Sequence, residues 1–182
     1  QILPAQPTRK WMRLPITKAN ISIRNFVNND FHGIRDWVND NDVTCNLIDS
    51  YIFDHTHSEA ETRAFLESTF IADDANYKLA VADSATNEYY GQINIFNFNE
   101  SNKSCSFDIV VRRKHWKQGI AYKATTALMN ELLADSGIST FIVEVKSTNI
   151  AALSLFSKLG FDIQDENHSI VQLIKSVRKI QC

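Results

Sequence analysis

The strongest constraint on the fold is a strand, a long helix and a second strand that follow one another in the middle of the chain. Residues 104–111 alternate between apolar and polar side chains, as a half-buried strand does. A helix predicted from Gly119 to about Asp135 carries apolar residues at helical spacing, and residues 140–145 give the clearest strand pattern in the chain. A helix between two strands implies a parallel crossover, so both strands are predicted to share one sheet.

The other segments complete an α+β pattern, with a single domain predicted over residues 17–182. Alternating or β-branched runs predict strands at residues 21–27, 77–82, 89–98, 161–163 and 169–176, and apolar spacing with capping residues predicts helices at residues 31–38, from Ser58 onward and at 150–159. We therefore predict a mixed, mostly antiparallel sheet of six or seven strands, flanked by about four helices. Residues 1–16 hold all three prolines and are predicted to form an irregular arm, packed in part through Trp11 and Leu14.

Composition and charge exclude several classes of protein. A length of 182 residues suits one domain, and a formal net charge of -2 argues against binding of nucleic acid or an anionic membrane as the main function. No apolar run is long enough to span a membrane, and no signal peptide is recognisable. Three cysteines at unrelated spacings predict neither a metal site nor a disulfide framework, which favours a cytoplasmic protein that binds no metal.

The turn before the long helix has the composition of an anion site. Small residues at Gly119 and Ala121 allow a ligand to approach the backbone, and a helix start presents unpaired N–H groups with a partial positive charge. The surrounding basic residues are Arg112, Arg113, Lys114, Lys117 and Lys123. These features fit a bound pyrophosphate, although a tight turn with solvated charges explains the same pattern. The glycine motifs of nucleotide hydrolases and dinucleotide-binding folds do not occur.

Two motifs in the second half of the chain resemble those of the GNAT superfamily of acetyltransferases. The family pattern R/Q-x-x-G-x-G/A is similar to residues 116–121, except that Trp116 takes the first position. The family pattern N-x-x-A-x-x-L-Y/F-x-x-x-G-F matches Asn149, Ala152, Leu155, Phe156, Gly160 and Phe161. Residues 36–43 resemble the branch that modifies ribosomal-protein N-termini and includes spermidine acetyltransferases. The resemblance covers about residues 21–176.

The resemblance implies a sheet that splays between the fourth and fifth predicted strands, with acetyl-CoA as co-substrate in the gap. The implied backbone contacts to the pantetheine arm come from Ile109, Val110 and Val111, and those to the pyrophosphate come from Gln118, Gly119, Ile120 and Ala121. Lys114 or Lys117 would replace the side chain that is missing at Trp116. Asn149 would orient the pantetheine arm, would act as the N-cap of the following helix, or both. Phe156 belongs to the same cofactor-binding motif.

The implied reaction is direct attack of an amine on the thioester in a ternary complex. Asp108 is the first candidate for the general base, because family members often keep a carboxylate there, and Glu144 is the second. An outward-facing strand residue is the simpler interpretation of Asp108. His115, expected at the surface, and Cys105 are weaker candidates. Phe156 replaces the tyrosine that protonates the leaving thiolate in many members. Water can supply that proton instead, and Tyr51, Tyr89 and Tyr90 are weaker alternatives.

The resemblance implies a primary amine as acceptor: a protein N-terminus, a polyamine or another small cationic amine. The acidic residues near the first helices that suit a cation are Asp36, Asp40, Asp42, Asp49 and Asp54, although solvated loop carboxylates explain most of them. Family members often dimerise, so a homodimer is compatible with the resemblance. Phe156 and Trp116 favour the alternative, a non-catalytic acyl-CoA-binding or assembly module that has the same fold.

Overall fold

The computed structural model describes residues 10–178, which fold around one eight-stranded sheet. The strands are β1 (Ile16–Lys18), β2 (Ile21–Arg24), β3 (Tyr77–Asp83), β4 (Tyr89–Asn99), β5 (Ser104–Val111), β6 (Thr140–Lys146), β7 (Asp162–Asn167) and β8 (Ile170–Ser176). The helices are α1 (Phe31–Val38), α2 (Asn41–Thr44), α3 (Ser50–Phe53), α4 (Glu59–Ser68), α5 (Ile120–Ser136) and α6 (Ile150–Lys158). Short 3-10 turns at Asn28–Asp30 and Arg113–His115 lie before α1 and α5.

The sheet confirms the predicted α+β class and its mostly antiparallel pairing. The spatial order is β1-β2-β3-β4-β5-β6-β8-β7, and within residues 10–178 only β5 and β6 run parallel. The predicted count of six or seven strands is too low, because β1 pairs antiparallel with β2. Only Ile16 of its three residues is buried, so no alternation marks this strand in the sequence. The boundary predicted after residue 16 therefore falls inside β1.

The longer helices lie where the sequence predicts them. α1 covers the predicted residues 31–38, and α4 begins with the predicted capping box, in which Ser58 Oγ accepts from Glu61 N at 3.2 Å. α5 ends at Gly137, whose φ of 72° gives the left-handed stop. α2 and α3 were not predicted, because four residues are too few for a periodic apolar pattern. Among residues 10–178, no helix has both the length and the apolar character needed to cross a membrane.

Two apolar cores cover the two faces of the sheet. α5 and α6 pack on one face, where Phe107 and Leu128 are buried. α1, α2 and α4 pack on the other face, where Trp37 lies in the same core as Val110 of β5. Neighbouring side chains on a strand point to opposite faces, so Phe107 faces α5, while Asp108 and Val110 face α1. The gap described below therefore has an α5 side and an α1 side.

The described part of the predicted amino-terminal arm packs against the sheet. Trp11 stacks on Phe98 with ring centroids 4.7 Å apart, and its backbone N–H donates to Tyr77 Oη at 2.9 Å. Leu14 contacts the same core. The predicted packing through Trp11 and Leu14 is confirmed, whereas residues 1–9 of the arm and residues 179–182 lie outside the described residues.

Gly91 of β4 allows the chain to pass very close to the end of β5. It lies opposite Val111, and a methyl carbon added to it would lie 2.0 Å from Val110 O and 2.9 Å from Val111 Cα. Carbon atoms cannot approach a carbonyl oxygen so closely without a shift of the backbone. The absence of a side chain at this position therefore helps to set where β5 ends.

Gly91→Ala is expected to destabilise the fold by about 2 kcal/mol or more, because β5 has to move to admit the methyl group. Gly137→Ala is the control, since its added carbon meets nothing within 4 Å and only the strain of a positive φ remains, about 1 kcal/mol. Urea unfolding measures both losses. Equal losses in the two variants would show that β4 and β5 separate freely at Gly91.

Candidate active site

β5 and β6 are paired over three residues only. The pairs are Ser104 with Thr140, Cys105 with Phe141 and Ser106 with Ile142. Beyond them β5 continues to Val111 and β6 to Lys146, and the two described strands form no further pairs with each other. A gap therefore opens between them. This confirms the splay predicted between the fourth and fifth strands, which are β5 and β6 once β1 is counted.

Four phenylalanines fill the core beside the point where pairing ends. The Phe107 ring lies 6.5 Å from Phe141 and 6.1 Å from Phe156, and Phe161 lies 5.1 Å from Phe156, all in edge-to-face contacts. Phe156 is only 3% exposed. The ring at the position of the family tyrosine is thus part of the core in this structure, and it has no proton to donate.

The free edge of β5 presents backbone groups to the gap at Ile109 and Val111. Arg112 N donates to Tyr90 O of β4 at 2.8 Å, which fixes the alternation of this antiparallel pair. By that alternation Val110 also turns its N–H and C=O toward β4, whereas Val111 and Ile109 turn theirs toward the gap. The backbone groups available to a ligand in the gap are thus those of Ile109 and Val111. Val110 instead contributes a buried side chain to the core on the α1 side.

Trp116 lies over one of these backbone groups. Its indole Nε1 donates to Val111 O at 2.8 Å, and the residue is 40% exposed. The carbonyl of Val111 is therefore satisfied by a side chain, while the N–H of the same residue is still directed at the gap. A ligand that pairs with both groups of Val111 has to displace the indole from the carbonyl.

The turn that leads into α5 contains two residues in the left-handed region. Lys117 has a φ of 61° and Gly119, the N-cap of α5, has a φ of 73°, a conformation that glycine adopts without strain. Gln118 between them is exposed. No side chain caps the helix, so the first N–H groups, at Ile120 and Ala121, point out of its end without a helical partner. The turn therefore offers backbone donors to an anion.

Three of the five basic residues near this turn are already in ion pairs. The shortest contacts join Arg112 to Asp36 at 2.7 Å, Arg113 to Asp40 and Asp42 at 2.8 and 2.6 Å, and Lys114 to Glu88 at 2.6 Å. Lys117 forms no ion pair within the described chain, and Lys123 Nζ lies 3.4 Å from the uncharged Asn20 Oδ1. Lys117 and Lys123, rather than Lys114, are thus the cations left for an anionic ligand. The same pairs neutralise three of the acidic residues predicted to attract a cation.

Asp108 lies on the α1 side of β5, two residues beyond the last pair with β6. Asn94 Nδ2 of β4 donates to its Oδ1 at 2.7 Å. The carboxylate touches solvent, but protein surrounds it on its other sides, and this desolvation raises the pKa of Asp108 from 3.8 to about 6. The negative charge of Asp49 raises the pKa further, and the hydrogen bond from Asn94 opposes the shift. A carboxylate with this pKa can accept a proton at neutral pH.

Glu144 lies on β6, across the gap from Asp108. Ser106 and Ile142 form the last pair of the two strands, and each acidic residue lies two positions further on, so both point to the α1 side. Glu144 is exposed and lies opposite Gln172 of β8. The structure thus brings the two predicted bases to the two walls of one gap.

Asn149 is the N-cap of α6, in the loop that follows β6. Its Oδ1 accepts from Ala152 N at 3.2 Å, which confirms the interpretation of Asn149 as a helix cap. This bond uses the oxygen of the amide and leaves Nδ2 as a donor. Capping and a contact to a ligand in the gap are therefore compatible.

The two weaker candidates for catalysis are buried. Cys105 is 1% exposed in the α5 core, and burial raises the pKa of its thiol to about 12, which excludes a reactive thiolate. His115 lies inside the protein and not at the surface as expected. Its ring is 4.5 Å from that of Tyr90, its Nε2 is 3.2 Å from Glu88 Oε1, and burial lowers its pKa. We interpret His115 as a packing residue.

One residue of the gap was not predicted from the sequence. Asn94 lies directly opposite Asp108 in the β4–β5 register and holds its carboxylate. The signal was present, because aligning the two alternating strands about the turn at residues 100–103 brings these polar positions together. Asp49 was predicted only as one member of an acidic run, and it is the member whose charge reaches Asp108.

Comparison with known proteins shows the family of the chain. A family model described as the acetyltransferase (GNAT) domain matches residues 20–162. Spermidine N-acetyltransferase from Vibrio cholerae, solved with CoA and spermine, has a TM-score of 0.73 at 16% identity and covers 87% of this chain and 96% of its own. RimL, a ribosomal-protein α-N-acetyltransferase solved with coenzyme A, has a TM-score of 0.74 at 15% identity, with coverages of 90% and 97%.

An acetyltransferase of the GNAT family from Bacillus anthracis has a TM-score of 0.73 at 17% identity, and the match covers 90% of this chain and 98% of that one. A search of curated proteins by sequence finds no significant match. Because the family model spans well over half of its length, the chain belongs to the GNAT acetyltransferase family. This assignment confirms the resemblance drawn from the two motifs, and the solved structures confirm the fold.

Asp108→Asn is expected to stabilise the protein more at pH 7.5 than at pH 4. The carboxyl pKa rises from 3.8 to about 6 on folding, so above pH 6 the folded state holds an ionised group unfavourably. The difference disappears below pH 3.8, where both states are protonated. Because solvent reaches the carboxylate, the gain at pH 7.5 is expected to be about 1 kcal/mol or less. Thermal unfolding at both pH values measures it, with Asp162→Asn on exposed β7 as control. A gain that does not depend on pH contradicts the raised pKa.

Proposed function

We propose that this chain is an acetyl-CoA-dependent N-acetyltransferase that transfers the acetyl group to a positively charged primary amine. The observation that carries the proposal is the gap between β5 and β6, which joins a free strand edge, unpaired helix N–H groups and two carboxylates. These features meet three requirements of the reaction: a binding site for the pantetheine arm, a binding site for the pyrophosphate and a general base. Membership of the GNAT acetyltransferase family supports it.

The chain's own residues suit acetyl-CoA as a co-substrate. Ile109 and Val111 would pair with the pantetheine amides as a neighbouring strand does. The N–H groups of residues 118–121 would hold the pyrophosphate, and Lys117 adds positive charge beside them. Asn149 Nδ2 is a further donor on the β6 side. The structures of two neighbours were determined with coenzyme A, which supports this choice of co-substrate.

In the proposed reaction the neutral amine attacks the thioester carbonyl directly, so the N–C bond forms as the C–S bond breaks. Asp108 accepts the proton of the amine, directly or through one water molecule, because its pKa of about 6 leaves it ionised but basic at neutral pH. The N–H of Val111, directed at the gap, stabilises the negative charge on the carbonyl oxygen. Glu144 on the opposite wall attracts the cationic amine.

The leaving thiolate takes its proton from water. Phe156 cannot donate one, and the two tyrosines of β4 have their hydroxyl groups engaged. Tyr90 Oη donates to Asp83 at 2.8 Å, and burial raises the pKa of Tyr90 to about 12. Tyr89 Oη accepts from the Trp37 indole at 3.1 Å in a buried pair. A thiolate is a stable leaving group, so a solvent proton suffices.

The charge of the α1 side of the gap supports a cationic acceptor. Asp108 and Glu144 are joined there by Asp49, whereas Asp36, Asp40 and Asp42 are paired with arginines. Carboxylates that are not neutralised concentrate cations at the mouth of a cleft. A polyamine or a protein N-terminus meets this requirement, and two structural neighbours are a spermidine and a ribosomal-protein N-acetyltransferase.

A non-catalytic acyl-CoA-binding module is the second candidate function. Two observations favour it. The Trp116 indole already donates a hydrogen bond to the carbonyl of Val111, and Phe156 stands in place of the proton donor that many family members have. The two functions differ in one measurable respect. The module binds acetyl-CoA and releases no free thiol with any amine, whereas the enzyme releases thiol in proportion to the amine acetylated.

Gly119→Asp is expected to weaken coenzyme A binding at least tenfold, because it places a carboxylate and a strained left-handed residue beside the pyrophosphate. Gly137→Asp is a matched control: it lies at the other end of α5, with a φ of 72° against 73°, and introduces the same strain and charge. Calorimetric titration of coenzyme A measures both affinities, and circular dichroism verifies folding. Equal affinities in the two variants would place the pyrophosphate elsewhere.

Free-thiol release from acetyl-CoA, measured with polyamines, aminoglycosides and peptides of varied N-termini, tests the reaction. We expect release with at least one cationic amine, and a kcat/KM that falls as the pH drops through about 6.

Asp108→Asn should remove this inflection and lower kcat/KM at pH 7.5 by about 100-fold or more. Glu144→Gln should chiefly raise the KM of the amine. Binding of acetyl-CoA without release in any panel reaction favours the module instead, and an unchanged profile in Asp108→Asn removes Asp108 from the mechanism.

A further inference from the structure

Three side chains that could bind a metal ion lie together between α3 and α4, outside the gap. His55 and His57 lie in the connection, and Glu61 lies in the first turn of α4. One ligand atom from each residue lies within 4.8 Å of the other two. The imidazole rings are 4.4 Å apart, and Tyr51 packs edge-on against both. Two histidines and a glutamate are a donor set that Zn²⁺ prefers.

His57 is held with one ring nitrogen available as a ligand. The residue is 6% exposed, and its Nε2 lies 3.0 Å from the carbonyl oxygen of Ile52. A carbonyl can only accept, so Nε2 carries the hydrogen and Nδ1 keeps its lone pair. The backbone is fixed as well, because Asn39 accepts from His57 N at 2.7 Å and donates to His57 O at 3.1 Å. Metal-binding histidines commonly have their second nitrogen bound to a carbonyl in this way.

Glu61 likewise uses one carboxylate oxygen for the helix cap and presents the other to the histidines. Its Oε2 accepts from Ser58 N at 2.8 Å and Ser58 Oγ at 2.7 Å in the capping box of α4. Its Oε1 faces the histidines, 3.0 Å from His55 Nε2. These hydrogen bonds fix the orientation of the carboxylate. One oxygen of a fixed carboxylate is thus presented to the two imidazoles.

We propose that His55, His57 and Glu61 form a binding site for a divalent metal ion, and that the ion bound is Zn²⁺. His55 Nε2, His57 Nδ1 and Glu61 Oε1 would supply three ligands, and water or the nearby Tyr51 hydroxyl group the fourth. The ion would take the place of the hydrogen bond between His55 and Glu61. This departs from the expectation, drawn from the cysteine spacing, that the chain binds no metal.

The bound ion would join the connection after α3 to the first turn of α4. Asp49, whose charge reaches Asp108, lies just before α3 and caps Tyr51 N at 3.0 Å. Fixing Tyr51 and His55 would therefore also fix the segment that follows Asp49 on the α1 side of the gap. The metal site is structural in this proposal and takes no part in acetyl transfer.

The test is a titration of Zn²⁺ into the full chain, free of any histidine tag and stripped with a chelator. Competition with a zinc-sensitive dye gives the stoichiometry and affinity, and the visible absorption spectrum of Co²⁺ in the same site gives the coordination geometry. We expect one equivalent of Zn²⁺, a higher thermal midpoint with the metal, and tetrahedral Co²⁺ bands. The titration contains no acetyl-CoA, so its outcome is independent of the proposed function.

Matched variants assign the ligands. His55→Ala, His57→Ala and Glu61→Gln should each weaken Zn²⁺ binding at least tenfold and remove the Co²⁺ bands. Glu61→Gln preserves the capping box, because glutamine also accepts from Ser58, and so separates loss of a ligand from loss of the helix. The controls are His32→Ala, Glu59→Gln and Cys45→Ser, at exposed positions outside the cluster. Absence of stoichiometric binding, or binding that survives the three ligand variants, overturns the proposal.

Discussion

The short parallel pairing between β5 and β6 is the constraint on which the rest of the structure depends. Three residue pairs hold the two halves of the sheet together, and beyond them the strand edges are free. A free edge inside a protein leaves N–H and C=O groups without partners, which a fold normally avoids. Here the buried phenylalanines beside the last pair support the divergence, and α5 begins with unpaired N–H groups near the same opening. The unsatisfied groups of strand and helix are thus collected in one place.

Ion pairs connect that opening to the helices on the α1 side. Arg112 and Arg113, directly after β5, bind Asp36 of α1 and Asp40 and Asp42 around α2. Exposed pairs contribute little stability one by one. Their effect is mainly geometrical, because they tie α1 and the short helix α2 to the end of β5. They also explain why the acidic run in the sequence is a poor guide to the charge of the gap, since arginines neutralise Asp36, Asp40 and Asp42 but not Asp49.

The sequence predicted the fold better than the contacts within it. Long alternating strands, the capping box at Ser58 and the glycine after α5 carry local signals, so these elements were placed to within a few residues. β1, α2 and α3 are too short for periodicity and were missed. Asp108 and Glu144 were predicted by resemblance to a family, whereas the turn before α5 was first predicted as an anion site from its small and basic residues. Asn94 meets Asp108 through the register of two strands, and His55, His57 and Glu61 meet through the path of a short loop. Apolar periodicity encodes neither. The burial of His115 and the pairing of Lys114 with Glu88 were missed for a similar reason, because both result from contacts between segments that are distant in the sequence.

The indole of Trp116 and a ligand in the gap would compete for the same hydrogen-bond acceptor, the carbonyl of Val111. In the proposed complex, a co-substrate amide that pairs with Val111 would replace the indole donor with its own, so the number of hydrogen bonds on the carbonyl would stay the same. The net gain in affinity from that contact would therefore be small, and the indole would be close enough to return when the product leaves. A transferase has to release coenzyme A in every cycle, and a side chain that competes for the same carbonyl favours rapid turnover over tight retention of the product.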